Sequence, residues 1–175
     1  MSCNCFSGKP SFPSQISFDE RLKRSACHCN ARFVVEENHR RFCINSKNID
    51  DVNKYKIDKW FDDSSCHRKC DYFFEYKRTE DEHEHPKVDT AIFVELKGVN
   101  IDDAVKQIDQ TISTFKQGGY FRTSTINKVI AAIVFSHYPS NNSSFRAAWI
   151  KLRKNHKELK VKDCIHAKSW TYDPT

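Results

Sequence analysis

Two acidic residues and one lysine stand where neighbouring strands of this chain are predicted to begin and end. Asp71 opens an aromatic-rich segment, and Glu95 and Lys97 close the apolar segment 91–97. Because side chains alternate along a strand, Glu95 and Lys97 share one face of it. Charged side chains on an otherwise apolar face are costly to bury unless that face opens into a polar site. The pattern therefore predicts a polar site at the end of these strands.

The predicted site has the ligands that a hard divalent cation prefers. If the two strands pair, Asp71 approaches Glu95, and the backbone carbonyl of Leu96 is close to both. Such oxygens are typical ligands of Mg²⁺ or Mn²⁺. Lys97 would lie beside the ion, where it can orient or deprotonate a water and offset charge developing on a phosphate. The alternative is a salt-bridged Glu-x-Lys pair on the rim of a sheet, a pattern that surface strands often carry.

The surrounding pattern predicts an α/β protein. The most regular segment is the helix 101–116, in which apolar residues recur every three or four positions after the N-cap Asn100. Three successive strands before it fit an antiparallel meander, and the strand after it can return parallel by a crossover. The predicted elements are a helix from Ser17 to about Cys29, a hairpin or irregular strands in 32–47, strands at 52–61, 70–78, 91–97 and 129–135, a helix from Ser143 or Ser144 to about Leu159, and a last strand at 161–165.

The same residues resemble the PD-(D/E)XK nuclease superfamily, which includes many restriction endonucleases and Holliday-junction resolvases. The resemblance lies in Lys-Cys-Asp-Tyr-Phe-Phe (69–74), in Val-Glu-Leu-Lys-Gly (94–98) and in a following helix that carries Gln107. It covers roughly residues 50–136. It implies a restriction-endonuclease-like αβββαβ core, with a mixed central sheet flanked by helices, and Mg²⁺-dependent cleavage of phosphodiester bonds.

Carried over residue by residue, the resemblance assigns four roles. Asp71 and Glu95 would bind the metal, Lys97 would be the catalytic lysine, and Gln107 would be the glutamine that some members place beside the site. The chain departs from the motif at Cys70, which stands where many members have proline.

The eight cysteines allow a second kind of site. Cys3 and Cys5, and Cys27 and Cys29, form two close pairs, and four thiolates are a structural zinc set. The usual zinc knuckle spaces its cysteines by two residues rather than one. Thiols packed as small apolar groups explain the four residues equally well.

Composition and charge limit the number of domains and the kinds of partner that this chain can have. The chain has 175 residues, 29 Lys+Arg against 23 Asp+Glu, and a net charge of +6. We expect an irregular arm at 1–16 and a single domain at 17–175. No apolar run approaches the roughly 20 residues that span a bilayer, and no secretory signal is visible, so we expect a cytoplasmic protein. The positive excess is concentrated near the C-terminus and predicts contacts with a nucleic-acid backbone; the residues proposed for them are Arg146, Lys151, Arg153, Lys154 and Lys157.

The sequence therefore predicts a metal-dependent nuclease acting in restriction, repair or defence. DNA is favoured over RNA, because DNA is the substrate that the resemblance most often implies. Many nucleases of this kind act as homodimers, which this chain could also form. Two alternatives remain: a non-catalytic nucleic-acid-binding protein on the same fold, and a zinc-stabilised interaction module in which Glu-x-Lys is incidental.

Overall fold

The computed structural model describes residues 16–27, 33–58, 68–78, 87–98, 100–123, 126–136 and 143–174. Residues 1–15 of the predicted arm lie outside these ranges. Within them, no helix is long and apolar enough to cross a membrane.

In these parts of the chain one helix precedes six strands, and the remaining helices lie between the later strands. The helices are α1 (Phe18–Arg24), α2 (Ile101–Gln117), α3 (Tyr120–Thr123) and α4 (Ser143–Asn155). The strands are β1 (Ala26–Cys27), β2 (Val34–Glu37), β3 (Arg40–Ile44), β4 (Val52–Lys56), β5 (Tyr72–Arg78), β6 (Lys87–Lys97), β7 (Lys128–Phe135), β8 (Lys162–Ala167) and β9 (Ser169–Tyr172).

A mixed sheet with the order β1-β4-β5-β6-β7-β8 forms the centre of the fold. β4, β5 and β6 are antiparallel neighbours, and β6, β7 and β8 run parallel to one another. α2 connects β6 to β7, as expected for a crossover between parallel strands. The structure confirms the α/β class, the meander and the parallel return that the sequence predicts.

The two faces of the central sheet are covered differently. The helices pack against one face, where the aromatic rings of Phe73, Phe93 and Phe115 meet. The other face is covered by a small sheet with the order β2-β3-β9, in which Phe42 packs on Phe74 of the central sheet. The predicted hairpin in 32–47 thus forms, but in a second sheet.

The helix α2 agrees with the prediction because its signals are local. Asn100 accepts a hydrogen bond from the Asp103 N–H at 3.2 Å, and the helix ends at the C-cap Gly118. The first helix is shorter than predicted. It stops at Arg24, where Ser25 caps it and donates its hydroxyl to the Leu22 carbonyl at 2.7 Å. Cys27, predicted in that helix, lies in β1 at the edge of the central sheet.

Candidate active site

The register of the central sheet places Asp71 opposite Glu95. Tyr72 pairs with Val94 across the antiparallel strands β5 and β6, so the next pair outward is Asp71 and Glu95. The Asp71 N–H donates to Glu95 Oε2 at 3.1 Å, and the Leu96 N–H donates to Asp71 Oδ2 at 2.8 Å. The structure therefore brings together the two acids that the sequence analysis selected.

The short segment before β5 is held in place by α2. Gln107 Nε2 donates to the Lys69 carbonyl at 2.9 Å, and the Cys70 N–H donates to Thr111 Oγ1 at 2.9 Å. When the bond from the Asp71 N–H to Glu95 is included, all three residues of 69–71 are hydrogen-bonded to α2 or β6. Asp71 is thus positioned by its neighbours although it precedes the strand.

Lys97 lies at the outer end of this cluster. Its Nζ donates to Gln107 Oε1 at 2.7 Å and lies 3.6 Å from Glu95 Oε1. The Lys97 side chain is 28% exposed, whereas that of Glu95 is 3% exposed. Glu95 is therefore the deep member and Lys97 the accessible one, with Gln107 bridging Lys97 to the segment that carries Asp71. Asp71, Glu95, Lys97 and Gln107 form one connected site.

Burial dominates the electrostatics of the two carboxylates. It raises the pKa of Glu95, and the negative charge of Asp71 raises that pKa further, while Lys97 opposes the shift. Burial also raises the pKa of Asp71, against the hydrogen bond from Leu96 and the charge of Lys56. Ionising both acids is costly although Lys97 acts on Glu95 and Lys56 acts on Asp71, because burial removes both carboxylates from water.

A divalent cation fits this arrangement. Mg²⁺ takes carboxylate oxygens and usually keeps several waters, so two carboxylates can suffice from the protein side. Across the described ranges, no group of three or more His, Cys, Asp and Glu side chains is arranged to hold a metal. Asp71 and Glu95 are thus a two-carboxylate site. In the structure the Leu96 N–H bonds to Asp71. The role of the Leu96 carbonyl as a metal ligand stays a prediction.

The cysteine pairs are largely untested. Cys3, Cys5 and Cys29 lie outside the described residues. Cys27 is 3% exposed and lies in β1 at the edge of the central sheet. That environment suits a thiol packed as a small apolar group.

The basic residues of the C-terminal part lie on the outer surface of α4 and just after it. Arg146, Lys151, Arg153, Lys154 and Lys157 are all exposed, and Arg153 pairs with Asp163. α4 packs along α2, and Lys116 near the end of α2 pairs with Glu158. Lys116 is nine residues beyond Gln107, about 14 Å along the helix. The contact of these basic residues with nucleic acid stays a prediction.

Sequence reasoning missed a second charged cluster beside Asp71. Lys56 Nζ lies 2.8 Å from Glu37 Oε1, 3.6 Å from Asp58 Oδ1 and 3.9 Å from the centre of the Tyr72 ring. The Tyr72 hydroxyl donates to Glu37 Oε1 at 2.8 Å. The charges of Lys56, Glu37 and Asp58 all act on the pKa of Asp71. Glu37 comes from the small sheet, and no local pattern indicates that this sheet reaches the site.

Comparison with known proteins adds no assignment. No family model matches the chain, and neither a curated protein nor a solved structure does. Only the geometry and chemistry of the site therefore indicate a function.

Proposed function

We propose that this protein is a metal-dependent nuclease that hydrolyses phosphodiester bonds on a restriction-endonuclease-like αβββαβ core. The observation that supports it most is the contact between Asp71, Glu95, Lys97 and Gln107 at the end of β6. A buried acid and a half-buried acid beside one partly exposed lysine are an unusual arrangement for a surface salt bridge, in which both partners are normally solvated. DNA is the favoured substrate.

Each residue has a distinct task in this proposal. Asp71 and Glu95 would hold Mg²⁺ or Mn²⁺, which supplies a Lewis acid for the phosphate and lowers the pKa of bound water. Lys97 would orient the attacking water and offset the charge that develops on the phosphate. Gln107 would hold the Lys97 ammonium in place through the 2.7 Å hydrogen bond to Oε1. Gln107 acts through Lys97 and is therefore a positioning residue.

The test is cleavage of supercoiled plasmid, linear single-stranded DNA and RNA in the presence of Mg²⁺ or Mn²⁺. Glu95→Gln and Lys97→Met keep the size of the side chains and remove their charge. We expect both variants to lose about a hundredfold or more in cleavage rate, the range of a lost acid–base or metal-binding group, while both still bind DNA. The matched controls are Glu158→Gln and Lys116→Met, which remove the same charges from an ion pair at the other end of α2.

Metal binding has its own readout. Mg²⁺ that binds the folded protein raises its melting temperature by mass action, and we expect this increase in the wild type but not in Glu95→Gln. Lys97→Met that cuts at the wild-type rate would refute the proposed mechanism. A wild type that binds DNA and cuts none of the three substrates in either metal would instead support the non-catalytic binding protein.

A further inference from the structure

Arg40 is a largely buried cation in the small sheet, and no carboxylate of the described residues lies within ion-pair distance of it. The residue is 7% exposed and lies on the side of β3 that faces the central sheet. Its Nε donates to the Glu37 carbonyl at 3.2 Å. Among the described residues, no carboxylate forms an ion pair with it. One hydrogen bond to a neutral oxygen leaves most of the five guanidinium N–H donors without a protein acceptor.

The head of Arg40 lies beside the candidate site. Arg40 Nη1 is 3.6 Å from the position that a Cβ atom on Gly98 would take. Gly98 directly follows Lys97 and, by strand alternation, faces the other side of the sheet. Arg40 and Lys97 thus approach the same end of β6 from opposite faces.

Lys56 shows how this protein treats another buried cation in the same region. Lys56 is 8% exposed, close to the value for Arg40, and its ammonium lies within ion-pair distance of both Glu37 and Asp58. The Glu37 Oε1 atom that binds Lys56 also accepts from Tyr72. The Glu37 carboxylate is therefore hydrogen-bonded to other groups. The charge of Arg40 helps to lower the pKa of Glu37, but the hydrogen bond of Arg40 goes to the Glu37 backbone carbonyl.

The Arg40 donors that have no protein acceptor are not among the buried unsatisfied atoms of the described residues, so they remain open to a ligand from solvent. The planar fork of arginine donors matches a phosphate better than an ammonium does. We propose that Arg40 binds a backbone phosphate of the nucleic-acid substrate, next to the phosphate that is cleaved. This inference rests on the proposed nuclease function and adds a contact from outside the αβββαβ core.

The experiment compares Arg40→Met with Arg41→Met, a matched control because Arg41 is the next residue of β3 and faces solvent. The probe is a fluorescent 20-base-pair DNA duplex, titrated without divalent metal at several salt concentrations. We expect Arg40→Met to weaken binding by about tenfold, as for a lost charged hydrogen bond, and to reduce the slope of log K against log salt by about one. Arg40→Lys should keep the slope and recover only part of the affinity.

Melting temperature separates this role from a structural one. Because Arg40 forms no ion pair within the described residues, Arg40→Met should leave the melting temperature close to that of the wild type, whereas loss of a structural arginine would lower it. If Arg40→Met binds the duplex as tightly as Arg41→Met does, the inference about Arg40 is wrong. The nuclease proposal still stands in that case if the wild type cuts DNA. A wild type that neither binds nor cuts DNA overturns both.

Discussion

Tyr120→Phe tests how this fold stabilises a buried carboxylate outside the candidate site. Glu75 lies on β5, 7% exposed, on the helix side of the sheet. Its Oε1 accepts from the Tyr120 hydroxyl at 2.7 Å, and its Oε2 accepts from Tyr55 at 2.7 Å and from Asn53 at 2.8 Å. Phenylalanine keeps the ring of Tyr120 among Phe73 and its neighbours but removes one donor.

The magnitude follows from the charge and the burial. A hydrogen bond to a charged group contributes about 1.5–3 kcal/mol to stability. For a chain of this length, 1 kcal/mol corresponds to a shift of about 2–4 °C. We therefore expect Tyr120→Phe to lower the melting temperature by about 3–12 °C, and to leave cleavage at lower temperature unchanged. Differential scanning calorimetry of the two proteins at pH 7 measures the shift.

A control and a double-mutant cycle make the result specific. The control is Tyr76→Phe. Tyr76 lies on β5, as Glu75 does, and its hydroxyl bonds to no group in the described part of the chain, so this variant should change the melting temperature little. In a Glu75→Gln background the penalty of Tyr120→Phe should shrink, because the charged acceptor is gone. A melting temperature for Tyr120→Phe within 1 °C of the wild type, on the order of a tenth of the upper estimate, would refute the reasoning.

Two further predictions concern the candidate site and the packing of α1. Because burial raises the pKa values of Glu95 and Asp71, their contribution to stability is complete below about pH 4 and is lost as pH rises through the raised values. Denaturant titrations at several pH values, without divalent metal, should therefore show that the free energy of unfolding falls less with rising pH in Glu95→Gln than in Glu158→Gln. A Cβ on Gly118 would overlap the Phe18 ring, so Gly118→Ala should cost about 1–3 kcal/mol. If Gly118→Ala lowers the free energy of unfolding by the same amount in a Phe18→Ala background, the proposed overlap with the Phe18 ring is wrong.

The parts of the fold that the sequence predicts correctly are those with local signals. α2 combines an N-cap at Asn100, a periodic apolar face and a terminating Gly118, and the structure places its ends within a residue of the prediction. Asp71, Glu95 and Lys97 were recognisable because they interrupt apolar strands. Their contact with one another follows from strand order, which short connections favour.

The parts that the sequence does not predict depend on distant pairing. β3 pairs in parallel with β9, so Arg41 lies beside Ser169, and no periodicity in either segment reveals this. Without β9 the hairpin cannot be assigned to the second face, and Glu37 and Arg40 cannot be placed near the site. β6 also begins at Lys87, in a stretch predicted to be a connection, because backbone pairing with β5 tolerates polar side chains at its solvent-facing end.

The buried charges of this protein differ in how many hydrogen bonds and opposite charges surround them, and this difference supports the proposed function. Glu75 has three donors, and Lys56 has two acids and an aromatic face. Glu95 pairs with Lys97, Asp71 has the Leu96 N–H and the charge of Lys56, and Arg40 forms one hydrogen bond, to a backbone carbonyl. A buried charge that the protein leaves partly uncompensated is costly unless a ligand completes it. Under the proposed function, a metal ion would compensate the two acids and a phosphodiester would bind the arginine, both at the same end of β6.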